Sequence, residues 1–93
     1  MGLQEDFDKA AEVIKPVKGL TNDEMLDLYG LFKQAKEGDN TTTRPGLLEL
    51  KGKSKWDAWT KRKGLTKDEA IAAYIELVKQ LLAKYAPDLA ATL

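Results

Sequence analysis

Two short segments of the sequence carry the residues that begin an α-helix with a capping box. Thr21 and Thr66 each precede a glutamate, Glu24 and Glu69, by three residues, and apolar residues at helical spacing follow. This spacing lets each threonine and its glutamate bond the other's backbone N–H in the first turn of a helix. No segment alternates apolar and polar residues as a half-buried β-strand would. The pattern therefore predicts an all-α fold.

Four helices are predicted, over about residues 4–15, 21–37, 51–63 and 66–85. Pro16 ends the first because proline cannot donate the next backbone hydrogen bond. The longest connection joins the second helix to the third, and a loop of this length spans a bundle or lines a site. It predicts a departure from simple up-down topology. The last segment, 86–93, is expected to be a frayed or loosely docked tail.

The residue types exclude the common catalytic arrangements. The 93 residues include no histidine and no cysteine, and Ser54 is the only serine. A Ser–His or Cys–His nucleophile pair cannot be assembled from such a chain, and a zinc site would need carboxylates alone. Asp23 and Asp27 fall near a helix start, where acids complement the helix dipole. We therefore predict neither an enzyme nor a metal site.

The length and hydropathy of the chain predict one domain, over residues 1–93. No apolar run approaches the roughly 20 residues needed to cross a bilayer. The N-terminus is acidic where a signal peptide would be basic and then apolar. The absence of cysteine fits a reducing compartment. We expect a cytoplasmic monomer without stable membrane insertion.

The formal net charge is zero, but the charges are unevenly distributed along the chain. Residues 51–63 contain five lysines and Arg62 against a single acid, Asp57. A local basic patch on a neutral domain points to a compact anionic ligand rather than a polyanion. The alternative is that these charges only solvate an exposed helix face, and composition alone favours it.

Two pairs of residues single out a candidate site within this pattern. Lys51 and Lys55 stand four residues apart, and so do Tyr29 and Lys33, so each pair shares a helix face. Two ammonium groups beside an aromatic ring suit a ligand with a phosphate and a flat base. The alternative for the lysines is snorkelling from the edge of an apolar stripe. For Tyr29 and Tyr74 it is packing in the core with the hydroxyl bonded.

The two tryptophans also admit two interpretations. Trp56 and Trp59 lie three residues apart on the third helix, a spacing typical of core residues. Exposed, they would serve as stacking platforms for nucleic-acid bases. A small nucleic-acid-binding bundle and a protein-interaction bundle therefore remain alternative functions.

Six blocks of residues carry a family resemblance: Phe7-Asp-Lys-Ala-Ala11, Tyr29-Gly-Leu-Phe-Lys-Gln-Ala35, Gly38-Asp39, Thr43-Arg-Pro-Gly46, Lys51-Gly-Lys-Ser-Lys-Trp-Asp-Ala-Trp59 and Ala73-Tyr-Ile75. Together they resemble the acyl-CoA-binding protein family. The resemblance implies a four-helix bundle with a skewed up-down arrangement and a long second-to-third connection. It also implies a non-enzymatic carrier that binds, buffers and transports medium- and long-chain acyl-CoA esters without a cofactor.

The resemblance also implies roles for individual residues. Lys33 and Lys55 would bind the ribose 3'-phosphate, and Tyr29 would pack against the adenine. Tyr74 would close on the nucleotide from the fourth helix.

Further residues are implied to complete the site. Lys15 and Lys51 would extend its polar rim, while Gly30, Leu31 and Phe32 would line the same stretch of the second helix.

The acyl chain would enter a channel whose implied candidates are Phe7, Ala10 and Ala11. Many family members carry a second tyrosine at the position of Phe32. Phenylalanine keeps the ring for apolar contact and lacks the hydroxyl for a polar one.

Overall fold

Both predicted capping boxes are present in the structure, and each opens a helix. The Thr21 Oγ1 atom accepts from the Glu24 N–H at 3.1 Å, and a Glu24 carboxylate oxygen accepts from the Thr21 N–H at 2.9 Å. Thr66 and Glu69 repeat this arrangement with the same two distances. The first turns of the two longest helices are therefore fixed by local residues alone.

The computed structural model describes residues 2–93, which form helices joined by loops without strands. The four main helices and a short terminal one are α1 (Leu3–Ile14), α2 (Asn22–Glu37), α3 (Leu50–Thr60), α4 (Lys67–Tyr85) and α5 (Pro87–Ala90). The predicted all-α fold, with a longer loop between the second and third helices, is confirmed. No helix among the described residues is long and apolar enough to cross a bilayer.

Helices α2 and α4 pack side by side in opposite directions. Near one end, the Tyr85 hydroxyl donates to Glu24 at 2.6 Å. Near the other, the Gln34 side-chain amide donates to the Leu65 carbonyl at 2.8 Å. Helix α1 joins them through Phe7, whose ring meets that of Tyr74 on α4 at 5.0 Å. These three helices enclose the core.

Helix α3 lies outside this core and packs on α2 in the same direction. Tyr29 of α2 faces Lys55 of α3, and one turn later Lys33 faces Trp59. The loop between the two helices must therefore run back along α2, which accounts for its length and for the predicted departure from up-down topology.

Helix α3 holds this returning loop through side chains. The Trp59 indole N–H donates to the Gly38 carbonyl at 2.8 Å, and the Trp56 indole donates to the Thr42 carbonyl at 3.0 Å. The Arg44 guanidinium pairs with both oxygens of Asp57, at 3.0 and 2.9 Å. These hydrogen bonds attach the loop to α3 at Gly38, Thr42 and Arg44.

Two segments differ from their predicted form. Helix α3 ends at Thr60, because the following N–H groups of Arg62 and Lys63 bond three residues back instead of four, before Gly64 turns the chain at φ +99°. The predicted loose tail instead contains α5, with proline in its first turn. Leu89 and Leu93 pack against the core.

Candidate functional site

A groove of about 530 Å³ separates α2 from α3 and brings together three of the predicted site residues, Tyr29, Lys51 and Lys55. Helix α2 supplies one wall and the start of α3 the other. The residues lining it are Asn22, Met25, Leu26, Tyr29, Leu50, Lys51, Ser54 and Lys55. The floor is therefore mostly apolar, and ammonium groups stand at its rim.

The Lys55 ammonium lies over the ring of Tyr29. Its Nζ atom is 5.5 Å from the ring centroid, within the range of a cation–π contact. Tyr29 is half-buried, while Lys55 is exposed. The contact holds a positive charge at the edge of the groove without removing it from solvent.

Lys33 lies one turn further along the same seam between the helices. Its Nζ atom is 4.8 Å from the centroid of the Trp59 ring and bonds the carboxylate of Glu37. Lys33 follows Tyr29 by four residues on α2, and Trp59 follows Lys55 by four on α3. The ammonium groups of Lys33 and Lys55 therefore lie one helical turn apart along the seam, by which we mean the line of contact between α2 and α3.

A second groove, of about 490 Å³, lies between α1 and α2. It contains Lys15, Phe7, Ala11 and Phe32 of the predicted site, together with Lys36. Its remaining lining residues are Glu5, Asp8, Lys9 and Glu12. Because most of these side chains are charged, this groove is the more polar of the two.

An aromatic cluster forms the base of the second groove. The ring of Phe7 lies 5.4 Å from that of Phe32 and 5.0 Å from that of Tyr74, and the Phe32 and Tyr74 rings are 5.9 Å apart. The Lys36 ammonium lies 5.8 Å from the Phe32 centroid. Burial of Tyr74 raises the pKa of its hydroxyl to about 12, so that this group stays neutral.

Five of the predicted residues lie in the packed interior. The side chains of Phe7, Ala10, Leu31 and Tyr74 are at most 4% exposed. Gly30 is buried where α2 crosses α3, and a Cβ atom there would lie 2.3 Å from the Ala58 carbonyl oxygen. Their packing accounts for these residue types independently of any ligand.

Several groove residues were not predicted as site residues, although spacing could have pointed to them. Met25 and Leu26 precede Tyr29 by four and three positions, which places them on the same face of α2. Lys36 follows Phe32 by four. The same periodicity is typical of a core stripe, whereas Met25 is 48% exposed in the structure.

The chemistry of both grooves is that of binding. They offer ammonium groups, aromatic rings and apolar side chains. Among residues 2–93, no three acidic side chains come together as metal ligands would. The sequence supplies no histidine or cysteine to either groove. The arrangement suits an anionic head joined to an apolar tail.

Comparison with known proteins identifies a matching family. The family model described as "Acyl CoA binding protein" matches residues 4–78. Acyl-CoA-binding protein homolog 1 of Caenorhabditis elegans is 56% identical over 80 residues, which cover 85% of this chain and 93% of that protein. A homolog of Drosophila melanogaster is 53% identical over 85 residues, covering 90% and 99%.

Solved structures agree with these sequence matches. The crystal structure of acyl-CoA-binding protein 2 of Oryza sativa superposes with a TM-score of 0.87 at 50% identity, covering 89% of this chain and 93% of that one. The crystal structure of ACBP from Moniliophthora perniciosa superposes with a TM-score of 0.86 at 36% identity, covering 99% of this chain and 91% of that one.

Proposed function

Because the chain belongs to the acyl-CoA-binding protein family, a family of non-enzymatic carriers, we propose that it binds medium- and long-chain acyl-CoA esters without covalent chemistry. It would buffer and transport them as a cytoplasmic monomer. One observation best supports this proposal. The ammonium groups of Lys33 and Lys55 lie one helical turn apart along the seam between α2 and α3, beside an apolar groove.

The ribose 3'-phosphate is assigned to Lys33 and Lys55. A phosphate placed between them would receive charge-assisted hydrogen bonds, each contributing roughly 1.5–3 kcal/mol. The ring of Tyr29 lies beside the Lys55 ammonium, and in this proposal its hydroxyl would bond the same phosphate. Lys51, four residues before Lys55, extends the rim. Binding would require Lys33 to exchange the Glu37 carboxylate for the phosphate.

The acyl chain is assigned to the groove between α2 and α3. Met25, Leu26 and Leu50 give it apolar walls. Phe7 and Ala10, the expected channel residues, have almost no exposed surface to offer. Each methylene removed from water contributes about 0.8 kcal/mol before costs, so that a palmitoyl chain supplies on the order of 10 kcal/mol gross. Ordering the ligand reduces this gain substantially.

We assign the flat base to the groove between α1 and α2, which replaces the expected packing of the adenine on Tyr29. There Phe32 offers a ring, and Lys15 and Lys36 offer charges on either side. Tyr74 supports Phe32 from below. A base stacked on Phe32 would leave Tyr29 free for the phosphate region, since Tyr29 lines the other groove.

Calorimetric titration with CoA and with palmitoyl-CoA tests this division of roles. If the apolar groove holds the tail, free CoA binds weakly, and the affinity rises with chain length across an acyl series until the groove is filled. Equal affinities for CoA and palmitoyl-CoA would contradict the proposal.

A second experiment tests the phosphate assignment. Replacing Lys33 or Lys55 with methionine should weaken acyl-CoA binding about tenfold or more, but barely change binding of the 3'-dephospho analogue. Lys79→Met is the matched control, because Lys79 is exposed on α4 and lines neither groove. Equal losses for both ligands would refute the assignment.

The nucleic-acid alternative draws little support from the tryptophans. Trp59 is 7% exposed, and both indole N–H groups are bonded to the loop after α2. Stacking on bases would require free ring faces. An oligonucleotide that shifted the tryptophan fluorescence with a steep salt dependence, where acyl-CoA caused no shift, would restore that alternative.

A further inference from the structure

Met25 places the only sulfur atom of the described residues beside an apolar groove. The sequence contains no cysteine and two methionines, of which Met1 lies outside the described residues. Met25 lines the groove between α2 and α3 and is 48% exposed. The other strongly exposed large apolar residues are leucines, which carry no readily oxidised atom. Among the residues that line this groove, Met25 is therefore the one whose side chain a peroxide oxidises.

The position of Met25 on α2 keeps it accessible while the protein stays folded. Its N–H bonds the Thr21 carbonyl at 3.0 Å, within the first turn that the capping box of Thr21 and Glu24 fixes. Three residues later Leu28 is buried in the core, whereas Met25 lies outside it. Oxidation of Met25 therefore requires no unfolding and leaves the packing of the core unchanged.

The walls of the groove are apolar where Met25 contributes to them. Leu26 and Leu50 line the groove together with Met25. A thioether is polarisable and nearly apolar, so methionine offers an acyl chain the same kind of contact as leucine does. A sulfoxide carries a strongly polar S–O bond, and an acyl chain covering it would displace water without offering a hydrogen bond in return. Oxidation thus converts an apolar part of the wall into a polar one.

From this placement we propose that Met25 is a reversible oxidation site that lowers the affinity of the groove for an acyl chain. The oxidant is hydrogen peroxide. The sulfur lone pair forms a bond to one peroxide oxygen, the O–O bond breaks, and the departing hydroxide takes up the proton of the transferred oxygen and leaves as water. The sulfur loses two electrons and the peroxide gains them. A methionine sulfoxide reductase reverses the step, because its thiols are oxidised to a disulfide while the sulfoxide oxygen leaves as water.

The loss of affinity should concern the tail of the ligand and spare its head. Lys33, to which the 3'-phosphate is assigned, follows Met25 by eight residues, or about two helical turns. This part of the inference rests on the proposed function, because it takes the occupant of the groove to be an acyl chain. The accessibility of Met25 to peroxide does not depend on that function.

Peptide mass spectrometry after peroxide treatment, without any ligand, tests the accessibility. Met25 of the parent chain should be oxidised within about fivefold of the rate for N-acetylmethionine amide, because it is exposed. Leu82→Met is the matched control, since it adds a methionine at a position with no exposed surface, and cores usually tolerate this exchange. The introduced methionine should react at least about tenfold more slowly than Met25. A rate for Met25 that is a hundredfold below that of the free amide would overturn the proposal.

Calorimetry before and after peroxide treatment tests the effect on binding. Oxidation of the parent chain should weaken palmitoyl-CoA binding by about five- to tenfold and change CoA binding by less than about twofold. Treatment with the reductase should restore the original affinity. Met25→Leu keeps Met1 and both tryptophans, so peroxide should leave the affinity of this variant where it was before treatment.

The possible results separate this inference from the proposed function. An oxidised parent chain with unchanged palmitoyl-CoA affinity would overturn the inference and leave the proposed function standing. So would an equal loss in Met25→Leu, or an equal loss for CoA and palmitoyl-CoA. An untreated parent chain that bound no palmitoyl-CoA would overturn the proposed function, and with it the effect of oxidation on affinity.

Discussion

Gly30 of α2 touches the backbone of α3 at Ala58. A Cβ atom at position 30 would lie 2.3 Å from the Ala58 carbonyl oxygen and 2.8 Å from its carbon. Neither atom can move aside as a flexible side chain could. The absence of a side chain at Gly30 therefore sets how closely the two helices approach, and with it the width of the groove between them.

Gly30→Ala should destabilise the protein. Alanine favours a helix over glycine by about 1 kcal/mol, but the overlap with Ala58 forces the helices apart at a cost of about 1–3 kcal/mol or more. We expect a net loss of stability, visible as a lower urea midpoint and a melting temperature lower by several degrees.

Gly52→Ala provides the control for that substitution. Gly52 lies on α3, and its added Cβ would meet Pro45 at an ordinary contact distance of 3.4 Å. The helix propensity gain should then be retained, making this variant neutral or more stable by up to about 1 kcal/mol. A Gly30→Ala protein as stable as Gly52→Ala would show that the contact is not tight.

Local signals in the sequence predicted most of the fold. Thr21 and Thr66 fix helix starts through neighbours three residues away, and Pro16 follows a helix end, so short-range pattern was sufficient. The four residues of α5 are too few to display a helical period, and so this helix was missed.

The candidate site was less accessible to sequence reasoning because it depends on how helices cross. Spacing placed Lys33 and Tyr29 on one face, but only packing shows that Lys33 meets Trp59. Periodicity likewise does not tell whether Met25 of α2 faces the core or a groove, and it gives no sign of the contact at Gly30. These features arise from contacts between distant segments.

Trp59 should contribute more to stability than Trp56. The Trp59 indole is buried and bonds the Gly38 carbonyl at the end of α2, whereas Trp56 is less buried and bonds Thr42 in the loop. Trp59→Phe leaves the carbonyl without this donor and removes ring volume, at a cost of about 2–3 kcal/mol. Trp56→Phe should cost less than about 1 kcal/mol. Urea unfolding of both variants measures this difference, and equal losses would contradict it.

Glu24 should make the stability depend on pH in acid. The Tyr85 hydroxyl, the Thr21 N–H and the Lys84 ammonium hold the pKa of its carboxyl at about 2, below its ordinary 4.5. The unfolded chain therefore binds the proton more readily than the folded one. The contribution of Glu24 is complete above about pH 4.5 and is lost as the pH falls towards 2.

Glu24→Gln should accordingly be less stable than the parent chain at neutral pH and show a shallower loss of stability in acid. Glu69→Gln is the matched control, since Glu69 makes the same capping box without a bond to a tyrosine or lysine side chain. Urea midpoints at neutral pH and at about pH 3 measure both effects. Parallel pH profiles for Glu24→Gln and the parent chain would exclude this role for Glu24.

Glu37 should compete with the ligand for Lys33 if the proposed phosphate assignment is correct. Its carboxylate bonds the Lys33 ammonium, and both side chains are partly exposed. An exposed pair of this kind contributes at most about 1 kcal/mol to stability, so Glu37→Gln should fold normally. Freed from this partner, Lys33 should bind the 3'-phosphate more readily, and the affinity for acyl-CoA should rise by about two- to fivefold. Calorimetry at low salt measures the change.

Glu76→Gln is the control for this prediction. It alters the net charge equally, on the exposed face of α4, and should leave the affinity for acyl-CoA unchanged. Because the carboxylate competes only for the phosphate, the gain should disappear with the 3'-dephospho ligand. An equal gain with both ligands, or a loss of affinity, would mean that Glu37 helps to position Lys33 instead of competing for it.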